Sequence, residues 1–152
     1  MENLKDDIQS LLIERGGLCF ALPLSIVTKV IAAQEITPVT SENRHLSGII
    51  NYKGEIIPVL TLDLKFGLTP KKLTVNDKII ITRYNNNNVA IIADSADRII
   101  TINIDSVTNM EEQYPGLTRL SISGEDNSII VIYNPEAIFS ASEITEFVKY
   151  GS

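Results

Sequence analysis

Few residues in this sequence have the chemistry for catalysis, and His45 is the first to consider. It is the single histidine, and a histidine that activates a serine could serve as the general base of a small hydrolase. His45 lies in a polar segment beside Arg44 and Ser47. The sequence contains no glycine-flanked serine of the nucleophile-elbow type. A hydrolase that uses His45 is therefore kept only as a remote alternative.

Ligands for a metal ion or a phosphate group are equally sparse. Cys19 lies in an apolar run, where a thiol packs as a small hydrophobic group, and a single cysteine permits no internal disulfide. Asp94 and Asp97 lack the alternating acidic loop with a central glycine of a calcium site, so solvation at a turn explains them better. Gly16 and Gly17 are not followed by Gly-Lys-Ser/Thr, so no nucleotide-phosphate loop is predicted. We expect a protein without catalysis, metal or cofactor.

The elements that would position any site are mainly short β-strands. Apolar runs are separated by glycine, asparagine or Lys-Gly turns, which is the pattern of β-hairpins. Strands are predicted at 10–13, 18–22, 78–84, 89–93, 98–104, 118–123 and 128–133, and on both sides of Lys53-Gly54. Many short, closely spaced strands favour a barrel or a sandwich over a parallel βαβ sheet. Two small barrels that share a core fit their number best.

A few short helices complete the prediction. The first is a two-turn helix within 23–31, where apolar residues recur at helical spacing. These residues are Leu24, Val27, Val30 and Ile31. A helical turn is predicted at 62–67, and a capped helix begins at Asn134, with a further turn at 142–148. Residues 1–9 are expected to be flexible or helical, and Thr69–Lys72 is the best candidate for a seam between two lobes.

The Lys53-Gly54 turn is the segment most able to display a surface. Gly54 supplies the positive φ of a tight hairpin turn, and Pro58 places its strand at a sheet edge or a bulge because proline has no N–H. An open edge is a natural place for a partner. Tyr52 offers contact area and a hydroxyl, while Lys53 attracts acidic groups. An ordinary solvated turn with Tyr52 half packed is the alternative.

The composition favours one domain with protein partners. A chain of 152 residues with 44% hydrophobic content can bury a core without disulfides or metals, so residues 1–152 are taken as a single domain. The net charge of −6 opposes nucleic-acid binding, which needs clustered basic residues. The acidic start does not resemble an export signal, and no apolar run is long enough to span a membrane. A cytoplasmic protein is expected.

Landmarks from Leu11 to about Phe139 resemble the CheW-like adaptor family of bacterial and archaeal chemotaxis. They occur in the family's order: 18–31, the extended segment 36–39, the central hairpin 48–66, the strand pair 79–81 and 89–94, and the strand 96–102. Each landmark is mostly aliphatic, and the resemblance rests on their order and spacing.

The resemblance implies a mainly β fold of two intertwined SH3-like, five-stranded barrels with a few short helices, acting by contact without a cofactor. Family members bridge chemoreceptors to the histidine kinase CheA. The groove between the barrels takes the receptor's helical hairpin tip, and the barrel ends pair with the regulatory domain of the kinase. The resemblance also allows ring assembly with the kinase domain and recruitment to membrane-associated receptor arrays without insertion into the membrane.

The resemblance also assigns site residues by position. Val27 on the first helix, with Ile91 and Ile92, would line the groove as apolar contacts, and Lys53-Gly54 corresponds to the family's Arg-Gly turn. A lysine attracts acidic groups but lacks the bidentate guanidinium fork. An identical contact is therefore not expected.

Position 63 departs from the family. After Pro58 the family usually shows an apolar pair and then Asp-Leu-Arg, where this chain has Thr61, Leu62 and Asp63. If Asp63 is a surface charge that meets partners, its reversed sign changes partner specificity. The leading hypothesis is a scaffold that couples receptors to the kinase. The alternative is the same module in a chemosensory pathway that controls surface motility or transcription.

Overall fold

The computed structural model describes residues 7–40, 46–64, 67–84, 86–103, 107–108, 119–122 and 129–132, and these are mainly β. The strands are β1 (Asp7–Arg15), β2 (Leu18–Pro23), β3 (Val27–Ala32), β4 (Leu46–Tyr52), β5 (Glu55–Leu60), β6 (Lys78–Tyr84), β7 (Asn87–Ala93), β8 (Ser95–Asn103), β9 (Val107–Thr108), β10 (Arg119–Ile122) and β11 (Ile129–Ile132). The predicted mainly β class and the predicted hairpins are confirmed.

The strands form two interleaved sheets. The six-stranded sheet has the order β8-β1-β2-β11-β10-β9, and the five-stranded sheet has the order β3-β6-β7-β5-β4. The chain enters the five-stranded sheet after the 3₁₀ turn Leu24–Ile26 and leaves it at Asp94. The predicted seam at Thr69–Lys72 is wrong, because that segment connects two strands of the same sheet.

In each sheet, the two edge strands are linked to each other. Edge strand β3 continues into an extended segment whose Thr37 exchanges two backbone hydrogen bonds of 2.9 Å with Ile49 of the opposite edge strand, β4. In the six-stranded sheet, the edge strands β8 and β9 are consecutive in the sequence. This linkage is consistent with two intertwined barrels. One of them has six described strands where five were predicted.

The two sheets share one core. Residues at alternate positions of β1, β2, β6 and β7 pack together between the sheets, among them Leu11, Ile13, Phe20, Leu22, Ile80, Val89, Ile91 and Ala93. The residues between them in each strand point to the opposite face. Leu12 and Ala21 pack inside the six-stranded sheet, and Ala90 and Ile92 pack inside the five-stranded sheet. Because β1, β2 and β7 are buried on both faces, their sequences are continuous apolar runs.

The predicted helix at 23–31 is wrong beyond its first three residues. Leu24–Ile26 is a 3₁₀ turn, and Val27 begins strand β3. The pairing of β3 with β6 shifts between Val27 and Lys29, so Thr28 is an extra, bulged residue. The bulge puts Val27 and Val30 on the same face of a strand although they are three residues apart, a spacing that otherwise indicates a helix.

The remaining predicted segments have mixed outcomes. Residues 7–9 belong to β1, so the flexible or helical N-terminal segment is wrong there, and residues 1–6 lie outside the described residues. The turn predicted at 62–67 is closed by a bond of 2.8 Å from the Leu68 N–H to the Asp63 carbonyl, with Gly67 at φ +69°. This pattern ends a helical turn. The predicted helices after residue 133 lie outside the described residues.

Gly48 permits the pairing of Thr37, in the segment after β3, with Ile49 of β4. Its φ is +154°, and a Cβ there would collide with the carbonyl of Thr37. We expect Gly48→Ala to lower the free energy of unfolding by roughly 2–4 kcal/mol, because it combines backbone strain with overpacking. Chemical denaturation measures the loss. Gly17→Ala is the control: its φ of +83° adds strain, but nothing lies within 4 Å, so a cost of about 1–2 kcal/mol is expected. Equal costs would contradict the collision.

Candidate interaction surface

The predicted turn between β4 and β5 is a tight hairpin with two residues of positive φ. Lys53 has φ +50° and Gly54 has φ +88°, the signs required by a type I′ turn. The Asn51 side chain accepts a hydrogen bond of 2.9 Å from the Gly54 N–H. Both Lys53 and Gly54 are exposed.

Tyr52 lies close to two lysines, one in strand β3 and one in the turn that follows β4. The Lys29 ammonium of β3 is 5.5 Å from the Tyr52 ring centroid, and that of Lys53 is 5.4 Å from it. Both distances allow cation–π attraction. Hydrogen bonding from Lys29 lowers the pKa of the Tyr52 hydroxyl, with the charges of both lysines adding to the effect and burial opposing it. We call Lys29, Tyr52 and Lys53 the lysine clamp.

Core packing and hydrogen bonds fix the strand that carries Tyr52. The Tyr52 ring packs on the interior core of the five-stranded sheet. The Gln34 side chain donates a hydrogen bond of 3.0 Å to the Asn51 carbonyl, and Thr37 pairs with Ile49. These bonds also occupy part of the β4 edge. β4 is an edge strand of its sheet, and its edge is occupied at Ile49 and at the Asn51 carbonyl.

Pro58 lies where β5 is paired on one side only. It faces Ile49 of β4, and the pairing of β5 with β7 begins at Val59. β5 is an inner strand of its sheet, yet at Pro58 it lacks the second neighbour that would need an N–H donor. The predicted local edge is thus present at Pro58, but β5 as a whole is not an edge strand.

Val27 belongs to a half-buried apolar group that packs against the shared core. We call this group the apolar rim: Leu24, Ile26, Val27 and Val30. Ile91 and Ile92, assigned to the same groove by resemblance, are buried at 0% and 5% exposure. In this structure they contribute core packing and offer almost no surface. Of the three predicted groove residues, Val27 alone has part of its side chain exposed.

Asp63 is not the surface charge that the sequence led us to expect. It is 3% exposed, and its carboxylate accepts hydrogen bonds of 2.8 Å from Nε and 2.9 Å from Nη2 of Arg15. Arg15 is itself 2% exposed. The reversed sign at position 63 is therefore matched inside the protein by a buried bidentate partner.

Asp94 extends this buried ion pair into a cluster that reaches the surface. Its carboxylate accepts hydrogen bonds from Arg15 Nη1 at 3.2 Å and from the Gly16 N–H at 3.0 Å, and it lies 2.6 Å from Lys71 Nζ. The cluster ties the β1–β2 turn to the segment after β5 and to the passage from β7 to β8. Asp94 was expected to be a solvated turn residue; it does lie between β7 and β8 with 29% of its side chain exposed, but it also forms ion pairs that were not expected.

Burial alone would raise the pKa of both carboxyl groups. For Asp63, the hydrogen bonds and charge of Arg15 outweigh that effect and lower the pKa. For Asp94, Lys71 and the Gly16 N–H do the same, assisted by the charge of Arg15. The two carboxylates therefore stay ionised within the protein.

Sequence reasoning missed Arg15, although a signal was present. Arg15 follows Leu11 and Ile13 at alternate positions of one strand, which puts it on their face. A charge on a buried face requires a partner of opposite sign. The alternation could have shown that Arg15 is paired, but not with which acid.

The residues first considered for chemistry form no metal site in the described part of the chain. His45 lies outside the described residues, so its position does not bear on the hydrolase alternative. Cys19 is half-buried and packs near Leu12 and Ala21. Among the described residues, no three His, Cys, Asp or Glu side chains approach closely enough to hold a metal ion. Nor does any described helix have the length and apolar character to cross a membrane.

The lysine clamp gives a spectroscopic prediction. The Tyr52 hydroxyl should ionise at lower pH than an ordinary tyrosine, because Lys29 and Lys53 favour the phenolate. Phenolate absorbance near 295 nm, recorded for the parent and for Tyr52→Phe, isolates this titration. Lys29→Ala should move it to higher pH. An unchanged Tyr52 titration in Lys29→Ala would show that the two side chains do not interact.

Comparisons with known proteins agree in sequence and in fold. A family model described as CheW-like domain matches residues 9–143. The chemotaxis protein CheW of Treponema pallidum (strain Nichols) is 21% identical over 151 residues, covering 95% of this chain and 89% of that protein. The chemotaxis protein CheW of Bacillus subtilis (strain 168) is 25% identical over 126 residues, covering 81% of each. The crystal structure of the scaffolding protein TtCheW from Thermoanaerobacter tengcongensis has a TM-score of 0.77 and 21% identity, covering 90% of this chain and 94% of that one.

Proposed function

Because this chain belongs to the family of CheW-like domain proteins, we propose that it is a non-catalytic scaffold that couples chemoreceptors to a CheA-type histidine kinase in chemotaxis. The observation that supports this most is the extent of the match, which covers both sheets of the described fold. A scaffold works by contact, so it needs apolar area and fixed polar groups more than titratable catalytic groups. The apolar rim and the lysine clamp supply both.

Strand β3 places these two surfaces on one element. Val27 and Val30 pack against the shared core with part of their area exposed, while Lys29 is exposed at the clamp. In the proposed arrangement, the apolar rim receives the helical hairpin tip of a receptor as an amphipathic helix is received in a groove. The barrel ends pair with the regulatory domain of the kinase. The protein then acts in the cytoplasm, recruited to receptor arrays.

The alternative pathway, in surface motility or transcription control, loses both departures that motivated it. It was suggested by the departures at Thr61 and Asp63, taken as changes at the contact surface. The Asp63 carboxylate is used by Arg15 inside the protein, and the Thr61 hydroxyl accepts a hydrogen bond of 3.2 Å from the Asp63 N–H. Internal packing thus accounts for these residues. Genes adjacent to the one for this chain would separate the two pathways.

Binding assays with two purified partners test the proposal. Calorimetry would measure affinity for the kinase regulatory domain and for a receptor hairpin tip from the same organism. We expect Val27→Asp to weaken receptor binding about tenfold or more, because it puts a charge in a desolvated apolar contact. Thr28→Asp is the matched control, since Thr28 is its exposed neighbour. Circular dichroism would verify that both variants fold.

Two results would contradict the proposal. If the parent protein binds neither partner at tens of micromolar, the scaffold function is wrong. If the parent binds both and Val27→Asp behaves like Thr28→Asp, the function stands but the apolar rim is not the receptor surface.

A further inference from the structure

We infer that the lysine clamp is a recognition site for an acidic protein segment, whose carboxylates are held by Lys29 and Lys53 beside the Tyr52 ring. The inference rests on the proposed function, because it names the chemistry of a partner that the scaffold binds. It goes further in adding Lys29, which neither the turn motif nor the resemblance assigned to a site.

The first support is an unbalanced local charge. The chain carries 13 Lys and Arg against 19 Asp and Glu, yet two ammonium groups lie within 5.5 Å of one ring centroid. No described acidic side chain forms an ion pair with either lysine, whereas Lys71 pairs with Asp94 and Asp77. Two like charges that no described carboxylate neutralises favour an anionic ligand that relieves their repulsion.

The second support is the backbone that presents them. Lys53 occupies a left-handed position at φ +50°, where Asn or Gly would cost less. Lys29 comes directly after the bulged Thr28 in β3, and bulges commonly re-aim a side chain at a functional site. The two lysines therefore reach one tyrosine through separate departures from regular backbone.

The third support is that the clamp is preorganised. The Tyr52 ring is anchored on the core of the five-stranded sheet, and β4 is tied to the segment after β3 at Thr37 and Gln34. A ligand would thus find the Tyr52 ring and the β4 backbone already in place, which limits the ordering cost of binding. Tyrosine adds a rigid platform with a polar end.

The charge of the whole chain identifies the class of ligand. A net charge of −6 repels a polyanion such as a nucleic acid or an anionic membrane at long range. Two local ammonium groups suit a short segment with two or three Asp or Glu side chains. A partner helix with acidic residues one turn apart presents such a set on one face.

A labelled peptide tests the clamp directly. The probe is a 20-residue helical peptide with Glu at every fourth position, measured by fluorescence anisotropy at low and high NaCl, with backbone amide NMR to locate binding. We expect the double variant Lys29→Glu/Lys53→Glu to weaken peptide binding about tenfold at low salt and to lose most of its salt dependence. The same variant should gain affinity for a matched peptide with Lys in place of Glu.

Matched variants separate charge from structure. Lys53→Asn keeps a residue that tolerates positive φ while removing the charge, so it should show part of the loss. Lys72→Glu changes an exposed lysine outside the clamp and should leave peptide binding within twofold of the parent. The inference is wrong if Lys72→Glu weakens binding as much as the double variant. It is also wrong if inorganic phosphate shifts the clamp amides as strongly as the peptide does, which indicates a general anion site.

The same variants distinguish this inference from the proposed function. If the parent binds kinase and receptor but the double variant binds both unchanged, the scaffold function holds and the clamp inference fails. If the parent binds the acidic peptide at the clamp but neither partner, the clamp is a recognition site and the proposed function fails.

Discussion

Asp63→Ala is expected to lower the free energy of unfolding by about 3–5 kcal/mol, because it leaves the Arg15 guanidinium buried without its bidentate partner. Arg15 is 2% exposed, so water does not replace the lost carboxylate. Asp94 remains 3.2 Å from Nη1 and recovers part of the loss. Urea denaturation followed by far-UV circular dichroism measures the change.

Two further variants separate loss of charge from loss of packing. Asp63→Asn keeps the shape and removes the charge, so it should cost nearly as much as alanine. The double variant Arg15→Met/Asp63→Leu removes both charges and should be more stable than Asp63→Ala, because a buried ion pair often contributes little more than apolar residues of the same volume. Equal stability of Asp63→Ala and the parent would show that the pair is open to water in solution.

The ion-pair cluster of Arg15, Asp63 and Asp94 also makes the stability of the fold depend on pH in acid. The pKa values of Asp63 and Asp94 are lower in the folded protein than their ordinary values. The unfolded chain therefore takes up protons first as the pH falls. The stabilisation is fully present above the unfolded value of about 3.9, and it is lost as the pH falls through the lowered folded values. Asp63→Asn should show a weaker decline below about pH 4.

Elements with local causes were predicted well. The β1–β2 hairpin follows from Gly16 and Gly17, which have φ +58° and +83°. The β6–β7 hairpin follows from the asparagine run, in which Asn86 takes φ +65°. Turn chemistry acts over a few residues, so it can be read directly from the sequence.

Elements with distant causes were missed. The apparent helix at Val27 and Val30 is a bulged strand, because pairing with β6 overrides a local spacing. Asp63 was taken as a surface charge because its partner, Arg15, is 48 residues away. Ile91 was assigned to a groove because a resemblance gives the position of a residue in the sequence but not how deeply its side chain is buried. The first of these features depends on strand pairing within one sheet, and the other two depend on contacts between the two sheets.

Those contacts between sheets also bear on whether the chain is one domain, which we propose it is. Phe20 of β2 is fully buried in the core that the two sheets share. Phe20→Ala is expected to cost about 3–5 kcal/mol, from lost burial and the cavity left behind. If the sheets unfold together, the loss of stability affects the backbone amides of both sheets. Hydrogen exchange should then accelerate by the same factor at Leu11 in β1 and at Ile80 in β6.

The control for this prediction lies on the surface of the same six-stranded sheet. Ile99 of β8 is 62% exposed, and Ile99→Ala should change stability by no more than about 0.5 kcal/mol. If Phe20→Ala accelerates exchange at Leu11 but not at Ile80, the two sheets unfold separately and the single-domain proposal is wrong. We expect the two sheets to unfold together, because opening one sheet exposes apolar surface of the other to water.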